Sequence, residues 1–126
     1  MDAIELKKRL QIFALRIIKL TESLPNNITG RTLGSQIIRS GTSPGANYRS
    51  ACLGKSDKDF LNKLKMVEEE LDETIYWLEL IIQSELIKEN LLKDLIKENN
   101  ELFKIICSSI TTMKKKINSK NNKSED

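Results

Sequence analysis

The sequence contains no histidine. That absence removes imidazole general acid–base catalysis, the Ser-His-Asp and Cys-His nucleophile systems, and most zinc and di-iron centres. Cysteine is scarce as well: Cys52 and Cys107 form no CxxC pair and read as reduced, buried thiols. Aromatic residues make up 5% of the chain, and two prolines and five glycines leave little material for the many tight turns of a β-sandwich. No apolar run approaches the ~20 residues of a membrane span. The N-terminus, MDAIELKKRL, is charged and periodic, unlike a secretory leader. These absences point to a cytoplasmic, helical, bacterial-type protein with no cofactor and no catalytic or metal site.

What is present is helical periodicity. Over residues 3–24, Leu6, Leu10, Phe13, Ile17, Leu20 and Leu24 recur at alternating spacings of four and three, the stripe of a bundle seam. LPNN ends this helix, since the residue before Pro25 is pushed out of helical geometry. A second helix starts near Thr29, a candidate cap, with Leu33 and Ile37 opening its stripe. The same rhythm then lands on Gly41, Gly45, Tyr48 and Cys52. The third helix takes Ser56 as its cap and runs to about Ser84–Leu86, its stripe reading Phe60, Leu64, Val67, Leu71, Ile75, Leu78 and Ile82. A fourth spans about 89–117 on Leu92, Leu95, Asn99, Leu102, Ile106, Ile110, Met113 and Ile117. Four amphipathic helices on short connections predict an all-α fold, an antiparallel up-down four-helix bundle over 1–118, with 119–126 as a disordered basic tail.

The glycine-rich stretch RSGTSPGANYRSA, residues 39–51, lacks the G-x-x-x-x-G-K-[ST] phosphate loop and follows no strand. In phase with its helix it reads as a packing motif, Gly41, Gly45, Asn47 and Tyr48. The missing side chains admit a neighbouring helix at a cost of roughly 1 kcal/mol each in helix propensity. Pro44 within it predicts a kink or a break. Ser40, Thr42 and Ser43 can re-satisfy carbonyls locally.

Charge is unevenly distributed. Residues 31–65 carry seven basic and two acidic side chains, net +5; residues 66–101 carry three and eleven, net −8. Lys114, Lys115, Lys116, Lys120 and Lys123 make the C-terminal segment basic. Two readings stay open: a basic face for a polyanion, and charge pairing within or between copies. The candidate nucleic-acid contacts are Arg31, Arg39, Arg49, Lys55, Lys63, Lys65, Lys114, Lys115 and Lys116. Arg31 and Arg49 are five helical turns apart and share a face; Arg39 lies about 80° away. The acidic run Glu68–Glu73 reads as a solvated face, with Glu70 or Glu73 the natural partner for an arginine of the second helix. IYWLELII, residues 75–82, is apolar nearly all round, which nominates Tyr76, Trp77, Leu80 and Ile81 as an oligomer interface.

Two blocks carry a family resemblance: Ser40–Arg49, of the form SGTS-x-GANYR, and Glu70–Leu80, of the form ExxETxYWLEL. With their flanks they resemble the 23S rRNA intervening-sequence proteins over about residues 5–115. The resemblance implies a small four-helix bundle assembling as a ring-shaped homopentamer, with no attached enzymatic activity. A related branch is the accessory protein of diversity-generating retroelements, which partners a reverse transcriptase and binds nucleic acid through a basic surface. The expectations are therefore an RNA- or DNA-binding homo-oligomer or, alternatively, a protein-interaction scaffold with a polymerase partner.

Overall fold

A computed structural model describes residues 1–125, with side chains as far as Asn122; Asp126 and the Lys123 side chain lie outside the described residues. Four helices follow in order: α1 (Ala3–Glu22), α2 (Ile28–Cys52), α3 (Asp57–Gln83) and α4 (Glu89–Glu125). There is no strand among the described residues, and no helix is long and apolar enough to cross a membrane. Side-chain caps start the first three helices. Asp2 accepts from the Glu5 amide, Asn27 from that of Gly30 and Ser56 from that of Asp59. The cap of α2 is thus Asn27 rather than Thr29: directly after Pro25-Asn26, the Asn27 backbone is extended and its carbonyl can accept from Arg31. The α3–α4 turn is closed by Glu85, at φ 61° in the left-handed region, and by the Leu86 amide donating to the Ile81 carbonyl.

Each helix packs against the next, and α1 also meets α4. The α1 stripe is buried as its spacing predicts, from Leu6 through Leu20. On α4 the buried set is Leu92, Leu95, Asn99, Leu102, Ile106 and Ile110. Arg9 closes the α1–α4 edge, reaching Glu98 and, at 2.9 Å, Glu101. On α3 the seam keeps a strict alternation of three and four through Leu64, Val67, Leu71, Thr74, Leu78 and Ile81. The expected positions Ile75 and Ile82 are only half-buried. A polar residue holds the seam because its hydroxyl is satisfied: Thr74 Oγ1 donates to the Glu70 carbonyl and lies 2.9 Å from Ser40 Oγ of α2.

Pro44 neither breaks α2 nor ends it; the helix passes through it, and the ring is buried. The lost amide bond is accompanied by hydroxyl contacts in the preceding turn. Thr42 Oγ1 donates to the Ile38 carbonyl at 2.6 Å and Ser43 Oγ to that of Arg39 at 2.7 Å. α4 continues as helix to Glu125, into the segment expected to be a tail over 119–126, of which Asp126 lies outside the described residues. No proline or glycine interrupts it, and Lys116 and Lys120 reach the Asp57 carboxylate at 3.5 and 2.6 Å, beside the start of α3.

Candidate nucleic-acid interface

The two sequence blocks singled out above face each other. Asn47 Nδ2 donates to Glu70 Oε1 at 2.8 Å, Ser40 meets Thr74, and Arg39 pairs with Glu73. Glu73 also accepts from the Trp77 indole N–H at 2.9 Å. On its other side the same stretch of α2 receives α1. A Cβ on Gly41 would stand 2.7 Å from Ile17 Cγ1, and one on Gly45 3.6 Å from Leu10 Cβ. Tyr48 is buried, and burial, followed by Cys52, pushes its hydroxyl up to about 12. The motif Gly41, Gly45, Asn47 and Tyr48 is therefore a helix-packing device that joins α1, α2 and α3.

This clasp sets the electrostatics of the acidic run. Hydrogen bonding from Trp77, then from Arg39, holds the Glu73 carboxyl below its ordinary value. Burial pushes Glu70 above its own, against the opposing bonds from Asn47 and Ser43. Glu68 accepts from the Cys107 thiol at 3.2 Å; burial, then Glu68, pushes that thiol up to about 11. No group of three or more metal-ligating side chains converges among the described residues.

The predicted basic residues do not form one patch. Arg39 is occupied by Glu73 and also reaches Gln36 Oε1 at 3.0 Å. Arg31 is exposed at the α1–α2 turn and donates to Asn26 Oδ1 at 3.1 Å. Lys55 stands with Lys58 and Lys120 around Asp57 at the start of α3. Lys65 is exposed and Lys63 half-buried on α3; Lys114, Lys115 and Lys116 are exposed on α4, and of these Lys116 pairs with Asp57. Arg49 is exposed and makes no ion pair among the described residues. It borders a groove of about 450 Å³ between α1 and α2, together with Lys7 and Lys8. The sequence reading missed both lysines because it followed basic residues along single helices. The signal lay in the hairpin: once Gly45 is set against Leu10, the first turns of α1 lie beside the last turns of α2.

The nominated oligomer interface divides. Ile81 is wholly buried in the core, since the three-four alternation of α3 carries it into the seam. Trp77 is half-buried, packs against the core and is tied to Glu73. Tyr76 is 53% exposed, its ring edge-on to Trp77 at 5.0 Å, and Leu80 is half-buried. The α1 face opposite the core also carries exposed apolar side chains, Ile4, Ile12 and Leu15.

The model of the 23S rRNA-intervening sequence protein family matches residues 3–108. The fold is similar to the crystal structure of a protein of unknown function from the S23 ribosomal protein family of Bacteroides thetaiotaomicron. The two share 39% identity over 83% of this chain and 97% of that one, with a TM-score of 0.79. No curated protein matches the chain.

Proposed function

The chain belongs to the 23S rRNA-intervening sequence protein family, and from that premise we propose that it is a non-enzymatic, cytoplasmic, nucleic-acid-binding protein that works as a ring-shaped homo-oligomer, a pentamer by family likeness. The proposed architecture of each subunit is an antiparallel up-down bundle. Its support is the descending order of partners across α2–α3 and α3–α4: Ser40 with Thr74 and Asn47 with Glu70, then Asn99 with Leu71 and Cys107 with Glu68. Assembly is supported by apolar side chains left in water on opposite flanks, Tyr76 on α3 against Ile4, Ile12 and Leu15 on α1.

The observation that carries the binding reading is the set of exposed cations that no described carboxylate engages, Arg31 and Arg49 on α2 among them. Copies around a ring would repeat this charge several-fold and contact phosphates more than bases, with strong salt dependence and weak sequence preference. A scaffold role, with a polymerase such as a reverse transcriptase as partner, draws on the outer face of α3, where Tyr76 stands near exposed Glu69 and Asp72. Light scattering of the purified full chain, with its ultraviolet absorbance ratio read at low and high salt, separates the two. The binding reading expects a multimer carrying nucleic acid that high salt strips off. A multimer free of nucleic acid at both salts favours the scaffold, and a monomer refutes both.

A further inference from the structure

We propose that the groove between the first turns of α1 and the last turns of α2 is where this protein holds a nucleic-acid phosphodiester backbone, through Lys7, Lys8 and Arg49; this rests on the binding role proposed above. The floor of the groove is made of small residues. Gly45 and Ala46 of α2 face Ala14 of α1, and the Gly45 backbone sits close enough to Leu10 that a Cβ would be in ordinary contact. Small side chains on both helices leave an open slot of about 450 Å³ instead of an interlocked seam. Cationic side chains border it from both helices, Gln11 adds an amide, and no carboxylate lines it.

Several other basic clusters carry a carboxylate of their own. Arg9 is held by Glu98 and Glu101, and Arg39 by Glu73. The lysines at the start of α3 surround Asp57, which already takes Lys116 and Lys120. The groove between α1 and α4, with Arg16 and Lys19, includes Glu22. In the α1–α2 groove, Lys7, Lys8 and Arg49 make no ion pair with any described residue, so an incoming anion displaces no partner among them. The long stems of two lysines and the planar fork of an arginine suit phosphate oxygens. With no aromatic ring in the groove, bases are not stacked there, and recognition is of the backbone.

The test is fluorescence anisotropy of a short labelled single-stranded RNA, and of the matching DNA, titrated with the full chain over a range of KCl concentrations. Lys7→Gln/Lys8→Gln/Arg49→Gln is compared with Lys93→Gln/Lys97→Gln/Lys104→Gln, which removes the same charge from exposed α4 positions. Thermal melting verifies that both remain folded. Lys8→Gln/Arg49→Gln, confined to exposed positions, serves if the half-buried Lys7 proves structural. The groove triple is expected to weaken binding by about tenfold or more at low salt and to flatten the log–log salt slope by about 2, the loss of three phosphate contacts on a single strand. The α4 triple is expected to leave the slope near that of the wild type. The inference is overturned if the wild type binds RNA or DNA and the groove triple binds equally well, or if the α4 triple loses as much. Displacement of the RNA by poly-glutamate at equal charge concentration overturns it in favour of an acidic protein segment. A wild type that binds neither nucleic acid refutes the binding role itself, together with this site.

Discussion

Replacing Gly41 with alanine tests the packing role of the α2 signature most sharply, because two effects of known sign oppose each other. In a helix interior alanine is favoured over glycine by about 1 kcal/mol, so in open space the substitution would stabilise. At Gly41 the new Cβ would meet Ile17 at three atoms: Cγ1 at 2.7 Å, Cγ2 at 2.8 Å and Cβ at 3.1 Å. Ile17 is wholly buried, and a β-branched side chain cannot rotate both γ carbons away. Relief requires α1 and α2 to separate, and overpacking of this kind costs about 1–3 kcal/mol or more. We expect a net loss of about 1–2 kcal/mol, several degrees in Tm for a chain of this size, measured at one fixed protein concentration so that assembly does not confound it. Gly45→Ala is the internal control. Its nearest neighbour would be Leu10 Cβ at 3.6 Å, so it should gain about 0.5–1 kcal/mol. Ile17→Ala should cost about 1–2 kcal/mol less in the Gly41→Ala background than alone, since it removes two of the three clashing atoms. Equal stabilisation by Gly41→Ala and Gly45→Ala, or additivity of the Ile17 and Gly41 changes, would refute the reasoning.

Three further outcomes can be checked independently. Glu70→Gln keeps an acceptor for Asn47 but abolishes the cost of ionising a carboxyl whose folded value is raised by burial. Wild-type stability from this group is greatest below the ordinary carboxylate range and falls as pH rises through it, so the variant should melt higher at neutral pH and match the wild type in acid. Asn99 is wholly buried, with Nδ2 3.4 Å from the Leu71 carbonyl and Oδ1 unpartnered. Asn99→Leu should raise the denaturant midpoint by about 1–3 kcal/mol equivalent, and a lower midpoint would contradict the seam assignment. Tyr76→Ala, at an exposed ring, should leave secondary structure intact by circular dichroism while lowering the assembly mass seen by sedimentation.

Much of the fold was legible because apolar spacing alone carries it. The α1 stripe is buried from Leu6 through Leu20 and the α4 stripe from Leu92 through Ile110, with Leu24, Met113 and Ile117 half-buried beyond them, and Ser56 caps α3 as its position implies. The reading of α3 slipped at Thr74, where following apolar residues leads to Ile75 while the heptad continues onto a threonine. Only the facing Ser40 and the Glu70 carbonyl explain how a polar group sits there. That is information from a neighbouring helix, invisible in a one-helix pattern, and the same slip turned Ile81 from a core residue into an interface candidate. Pro44 is a comparable case: helix propensity predicts a kink or a break, and the break does not occur, with the ring buried and hydroxyl bonds in the turn before it. For the site, the ion pair between an α2 arginine and Glu73 was one of the open readings, and it is Arg39 that makes it. Lys7 and Lys8 could not emerge without the α1–α2 register, because their link to Arg49 is spatial. The most distinctive sequence motif thus describes how the helices are held together: of the arginines at its two ends, Arg39 is held by Glu73, while Arg49 has no ion pair among the described residues.

The central claim is that unpaired surface cations on this bundle bind nucleic-acid phosphates. A salt series with the unmodified full chain and a labelled RNA tests it most directly, read as log binding constant against log salt. The account predicts a straight line falling with a slope of about −2 or steeper, the release of counterions from three or more phosphates. Binding that ignores salt, or no binding at the lowest salt, would contradict it.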